Sequence, residues 1–184
     1  MRLLIAFVFL STLCAAVFAA SHIPANGIVG KRQNAMKQMA RAVKTIADMF
    51  EGRLVYDAAE FKSAAETVRR QSGETLVKGF PAGSLGDPSD AKADIDTSRA
   101  EFIALAKHLE KFASALSVAA DSAPDGITKS MRMGPGMMMD GSILGKKRAA
   151  KSVADVSTLP AEHVFHLMLQ DCASCHARFR NKAK

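Results

Sequence analysis

Apolar residues recur every three or four positions in four stretches of this chain, a spacing that gathers each set on one face of an α-helix. Met36, Met39, Val43, Ile46 and Phe50 form one stripe and predict a first helix over about 28–50, with Arg32 on the same side. Leu54, Ala58, Phe61, Ala65 and Val68 predict a second over about 54–78, whose last turns Gly73 weakens. It stops near Phe80-Pro81-Ala82-Gly83. A polar link then leads to Ser98, which with Glu101 three residues on spells a capping box for a third helix. That helix carries Phe102, Leu105, Leu109, Phe112 and Leu116 and ends before Pro124. The fourth begins near Pro160, has Glu162 in its first turn and runs to about Asn181. Phe165, Met168, Leu169, Cys172, Cys175, His176 and Phe179 share one side of it, while His163 and His166 point elsewhere. Nothing between these stretches alternates as a strand does. The pattern predicts an all-α fold, a four-helix up-down bundle.

The N-terminus is of a different kind. Arg2 precedes an apolar run from Leu3 to Leu10 and a segment ending Val17-Phe18-Ala19-Ala20, which reads as a secretory signal peptide over 1–20, cleaved after Ala19 or Ala20. As a retained transmembrane anchor the run is only marginally long enough, and bulky Leu13 before Cys14 argues against lipid attachment there. The remaining stretch, 21–184, is about 165 residues, suited to one domain with a sizeable core and no further membrane-spanning segment. The formal charge of +7 falls to +6 when Arg2 leaves. Its basic residues are spread along the chain with no recognition motif, which sets nucleic acid aside and leaves an acidic redox partner or an anionic surface.

Cys172 and Cys175 are then the cysteines of the mature chain, in the run Cys172-Ala173-Ser174-Cys175-His176. Thiols three apart on a helix reach one edge of a flat macrocycle and form thioethers with its vinyl groups, and the adjoining imidazole takes an axial position on its iron. The motif therefore predicts one covalent haem c near the C-terminus, with Cys172 and Cys175 as attachments and His176 as the proximal iron ligand. A structural zinc site needs a second ligand pair that the chain lacks. A thioredoxin-like pair belongs at a helix start in a βαβ setting, and a disulfide across three residues constrains little and leaves His176 unused. His108, among charged neighbours, reads as solvated, and His22 as part of a frayed terminus.

A haem motif in the last turns of a four-helix chain, together with Arg32-Gln33-Asn34-Ala35-Met36 on the first helix, resembles the class II c-type cytochromes, the cytochrome c′ family. The resemblance covers roughly residues 28–121 and 160–182 and includes Phe80-Pro81-Ala82-Gly83-Ser84, Ala91-Lys92-Ala93-Asp94-Ile95 and the ending His176-Ala177-Arg178-Phe179-Arg180. It implies that the position of Met36 faces the distal side of the iron. There methionine binds the metal in a low-spin subgroup, whereas an aliphatic residue leaves the iron five-coordinate. Met36 is thus the expected sixth ligand; core packing by Met36, or ligation by Met39, are the alternatives. Arg32 resembles the arginine that approaches a haem propionate, with a surface arginine as the alternative. Arg180 lies one turn beyond His176, beside the expected haem edge, and Phe179 packs on the ring side where a tyrosine is common.

With His176 and Met36 both bound, the iron has no open position, so single-electron transfer by a periplasmic protein that is not an enzyme is the first expectation. The second is a five-coordinate, high-spin iron that binds nitric oxide or carbon monoxide. Expected partners are an unidentified redox protein with an acidic surface and, since family members often pair through their first two helices, a second copy. One stretch departs from the family. Residues 122–159 form a long insertion holding Met131, Met133, Met137, Met138 and Met139 around Gly134-Pro135-Gly136, then Lys146-Lys147-Arg148 and Lys151 in an expected short helix over about 143–156. Thioethers suit Cu(I), which makes copper handling a third hypothesis beside a flexible insertion that covers a groove or docks a partner.

Overall fold

A computed structural model describes residues 27–85, 89–134 and 155–181. The expected signal segment with Cys14, and His22 beyond it, lie outside the described residues, as do Met137 to Met139 and the basic Lys146, Lys147, Arg148 and Lys151. Among the described residues six α-helices occur in chain order: α1 Gly27–Phe50, α2 Ala58–Gln71, α3 Gly73–Lys78, α4 Asp94–Thr97, α5 Arg99–Asp121 and α6 Ala161–Phe179. The long ones pack as a four-helix bundle in which α1 lies on α2, α2 on α5 and α5 on α6. Among the described residues the extended structure amounts to one isolated bridge, Ala91 to Arg180. None of the described helices is long and apolar enough to cross a membrane.

The first, third and fourth helices fall within a residue or two of their expected limits, because their stripes are long and uninterrupted. The second does not start at Leu54. Gly52, at φ +73°, reverses the chain, and Asp57 caps the next helix by accepting from the Glu60 amide at 2.7 Å, so Leu54 and Val55 stay in the exposed turn. It also breaks where Gly73 weakens it. Ser72 is extended, Gly73 sits at φ +55°, and α3 carries the chain on to Lys78. An added Cβ at Gly73 would also lie 2.1 Å from Glu110 Oε2, so that carboxylate would have to move aside.

The expected capping box at Ser98 does not form. Ser98 makes no side-chain cap to α5, and its hydroxyl instead accepts from Arg178 Nη2 on α6 at 2.9 Å. Ser98 lies at φ −116°, ψ 39°, outside the extended conformation that aims an N-cap side chain at the helix amides.

Two apolar clusters fill the bundle. The larger runs along all four long helices, with Met39, Ile46 and Phe50, then Phe61 and Val68, then Phe112 and Leu116, then Phe165 and Met168. Phe50 joins α1 to α2 and α6, its ring 5.5 Å from Phe61 and 5.7 Å from Phe165. The smaller cluster gathers Leu76, Phe80, Ile95, Phe102, Ala106 and Phe179, with edge-to-face rings Phe80–Phe102 and Phe102–Phe179 at 5.1 and 5.4 Å. Each such phenylalanine, fully buried, contributes about 1.5–3 kcal/mol.

The start of the long insertion is anchored. Met131 is buried in the larger cluster, so its thioether is a core group there. Arg132 donates to the Phe50 carbonyl at 2.6 Å, and Glu162 accepts from the Met133 amide at 2.8 Å. Arg132 thereby satisfies a carbonyl left open at the end of α1.

Candidate functional site

Cys172 and Cys175 occupy the same face of α6 as expected, but each touches a different cluster. Cys172 packs on the larger, Cys175 on the smaller. Both are free thiols, half-buried, and burial pushes each pKa up to about 11. The charge of Asp171 adds to the effect at Cys172; at Cys175 the neighbouring Cys172, Asp171 and Glu101 add to it. Such thiols are neutral at pH 7 and present the S–H form that adds across a vinyl group. Among the described residues, no group of three or more His, Cys, Asp or Glu is placed to hold a metal ion.

His176 lies on the exposed side of the last turn of α6. Loss of hydration, with Arg180 nearby, lowers its pKa, which favours the neutral imidazole that a metal requires.

Met36 is half-buried and packs against both clusters, at the junction that Cys172 and Cys175 also flank. The stripe on α1 puts it there, one turn after Arg32. Met39 is buried in the larger cluster and does not border the smaller one in the same way. That separates the two methionines which helical spacing alone left on one face.

Arg32 is not a surface arginine. Only 7% of it is exposed. Its guanidinium stacks on the Phe80 ring, 4.6 Å from the centroid, and Nη2 donates to the Ser84 carbonyl at 2.7 Å. Nε and Nη1 are buried with no partner. Burial lowers the pKa of Arg32, yet a guanidinium remains charged, so two unpaired donors call for an anionic acceptor. Nη2 is shared by both forks of the guanidinium and is already bonded to Ser84, so Nε and Nη1 each present a single donor, which a carboxylate oxygen such as that of a haem propionate would satisfy. Two neutral thiols one turn apart, an available imidazole and this buried guanidinium together fit the group that the motif implies.

Phe179 is buried in the smaller cluster against Phe102. Arg180 is exposed, and its backbone amide donates to the His176 carbonyl at 3.1 Å.

Two features escaped the sequence reading. His108 is not simply solvated: its Nδ1 lies 3.3 Å from Asp171 Oδ2, linking α5 to the residue before Cys172. Arg178 bridges α6 to the start of α5 through Asp94 and Ser98. The pairs are 63 and more than 79 residues apart, so no local pattern marks them.

The profile of the family described as Cytochrome C′ matches residues 27–135. No curated protein matches. Among solved structures, a ferric cytochrome c prime from Alcaligenes xylosoxidans is similar at 22% identity and a TM-score of 0.58, covering 85% of this chain and 94% of that one. A cytochrome c prime from Shewanella frigidimarina aligns at 21% identity and TM-score 0.56, over 84% and 94% of the two chains. A mutant cytochrome c′ of Rhodopseudomonas palustris aligns at 25% identity and TM-score 0.55, over 86% and 100%.

Proposed function

Because the chain belongs to the cytochrome c′ family, mono-haem c-type cytochromes that bind covalent haem c with its iron, we propose that it takes up a small uncharged gas, nitric oxide or carbon monoxide, at that haem. The family match carries this reading, and it reverses the order of the two expectations drawn from sequence. Bound haem supplies an iron with two axial positions and reversible one-electron chemistry. Cys172 and Cys175 would hold the group through thioethers, each S–H adding across one vinyl group with the hydrogen going to the neighbouring carbon. His176 would offer a neutral ring nitrogen to the iron. Arg32 would offer Nε or Nη1 to a propionate oxygen and bring a fixed positive charge to the site. Met36, half-buried between the two clusters, would offer an apolar surface that admits a diatomic gas and disfavours anions.

One observation favours a second reading, electron transfer through a low-spin iron. Met36 borders both clusters, as a side chain aimed at the space between them would. If its thioether binds the iron, the sixth position is filled and the ferrous form is stabilised. In either case the protein is an exported, periplasmic cytochrome and not an enzyme, and it serves a redox partner with an acidic surface or pairs with a second copy through α1 and α2.

Absorption spectra of the haem-loaded protein, oxidised and reduced, with and without carbon monoxide, separate the readings. A broad high-spin spectrum that shifts with carbon monoxide supports gas binding. A sharp reduced α band that ignores the gas, and that becomes gas-sensitive in Met36→Ala, supports electron transfer and ends the first proposal.

A further inference from the structure

Every residue after His176 up to Asn181 is held by the link that precedes α5. The Phe179 carbonyl accepts from the Lys92 amide at 2.9 Å, and the Asn181 amide donates to the Asp90 carbonyl at 2.8 Å, on either side of the Ala91–Arg180 bridge. Lys92 Nζ donates to the Ala177 carbonyl at 3.2 Å. Carbonyls that the end of α6 leaves open are thus closed by residues about 85 positions earlier. Arg178 completes the grip with its side chain. Nη1 donates to Asp94 Oδ2 at 3.0 Å, Nη2 to Ser98 Oγ at 2.9 Å, and Nε lies 3.7 Å from Glu101 Oε2. The same guanidinium stands 5.6 Å from the centroid of the Phe179 ring.

A guanidinium with several fixed partners sets orientation as well as distance, because its donors lie in one rigid plane. The partners are on α4, on the residue that precedes α5 and on α5 itself, so α6 can neither slide nor rotate there without breaking two or three contacts at once. His176 lies on that last turn. We infer that Arg178 is a positioning residue for the proximal iron ligand: by bridging Asp94 and Ser98 it fixes the last turn of α6 and with it the plane of the His176 imidazole. This rests on the reading of His176 as the axial ligand.

Solvent-exposed ion pairs contribute little to stability, and Arg178 and Asp94 are both 44% exposed, so variants that cut the bridge should still fold and mature. The test uses the full haem-loaded chain in its ferric state. The covalent haem content is read by mass, and the orientation of the axial ring is read from the hyperfine-shifted proton resonances of the haem methyl groups. Arg178→Ala should keep one covalent haem but change the spread of the methyl shifts or double them. Asp94→Ala with Ser98→Ala cuts the same bridge while leaving α6 unaltered, and should move the shifts in the same sense. Arg178→Lys, with one donor group in place of a fork, should restore them in part. If both bridge-cutting variants keep the wild-type shift pattern, even with a lower melting temperature, Arg178 only supports the fold and the inference is overturned. Wild-type protein with covalent haem but no axial imidazole signature would instead refute the reading of His176, and this inference with it.

Discussion

Replacing Arg32 with Met tests the haem pocket through the protein's own stability. Without haem the substitution removes a charged hydrogen bond to the Ser84 carbonyl, about 1.5–3 kcal/mol, and a cation–π contact with Phe80, about 0.5–2 kcal/mol. It also removes two buried donors that have no partner, each costing about 1–3 kcal/mol. These contributions nearly cancel, and methionine fills similar volume, so haem-free Arg32→Met should differ from its parent by less than about 1 kcal/mol. With haem attached, one of these donors has a charged acceptor, which adds a charge-assisted hydrogen bond and removes that donor's penalty. The same substitution should then cost about 3 kcal/mol, or roughly 6–12 °C in melting temperature for a chain of this size. The assay is urea unfolding of four proteins: parent and Arg32→Met, each with haem and each made haem-free by Cys172→Ser with Cys175→Ser. The coupling is the difference of the two differences. Equal losses in both backgrounds would mean that Arg32 serves the bundle alone, and the propionate contact would be wrong.

Two further outcomes are expected from the geometry. Gly73→Ala should destabilise by about 2 kcal/mol, since alanine is strained at positive φ and its Cβ meets the Glu110 carboxylate. Adding Glu110→Ala should recover only the steric part, and full recovery in urea unfolding would show that the backbone is not strained. Burial raises the pKa of Asp171, more than His108 lowers it. A carboxyl whose folded pKa is raised contributes most below its unfolded pKa and loses that contribution as pH rises through the folded value. Asp171→Asn should therefore be the more stable protein at about pH 7, with the gain fading towards about pH 4. An asparagine variant that is less stable at neutral pH would show that the His108 pair outweighs burial.

Where the sequence reading failed, backbone conformation and spatial neighbours decided. Ser98 and Glu101 spell a capping box, but Ser98 is outside the extended N-cap conformation and its hydroxyl accepts from Arg178, 80 residues away. The second helix was legible as an apolar stripe, whereas its break lies in the extended Ser72 and the positive φ of Gly73. Leu54 fits the stripe by spacing, but the turn at Gly52 and the cap at Asp57 exclude it from the helix.

The chain by itself determined what is local. Periodicity gave the helices because each stripe repeats within one segment, and Cys172, Cys175 and His176 gave the attachment motif because one helical turn holds all its parts. Tertiary structure decided what depends on packing between segments. It buried Arg32 under Phe80 and left two of its donors for an anion. It took Met131 into the core and drew Met36 to the junction of two clusters. It also tied the turn that carries His176 to residues 90–101. Side-chain burial and charge pairing are set by neighbours in space, and neighbours 30 to 85 residues apart leave no periodic trace in the sequence.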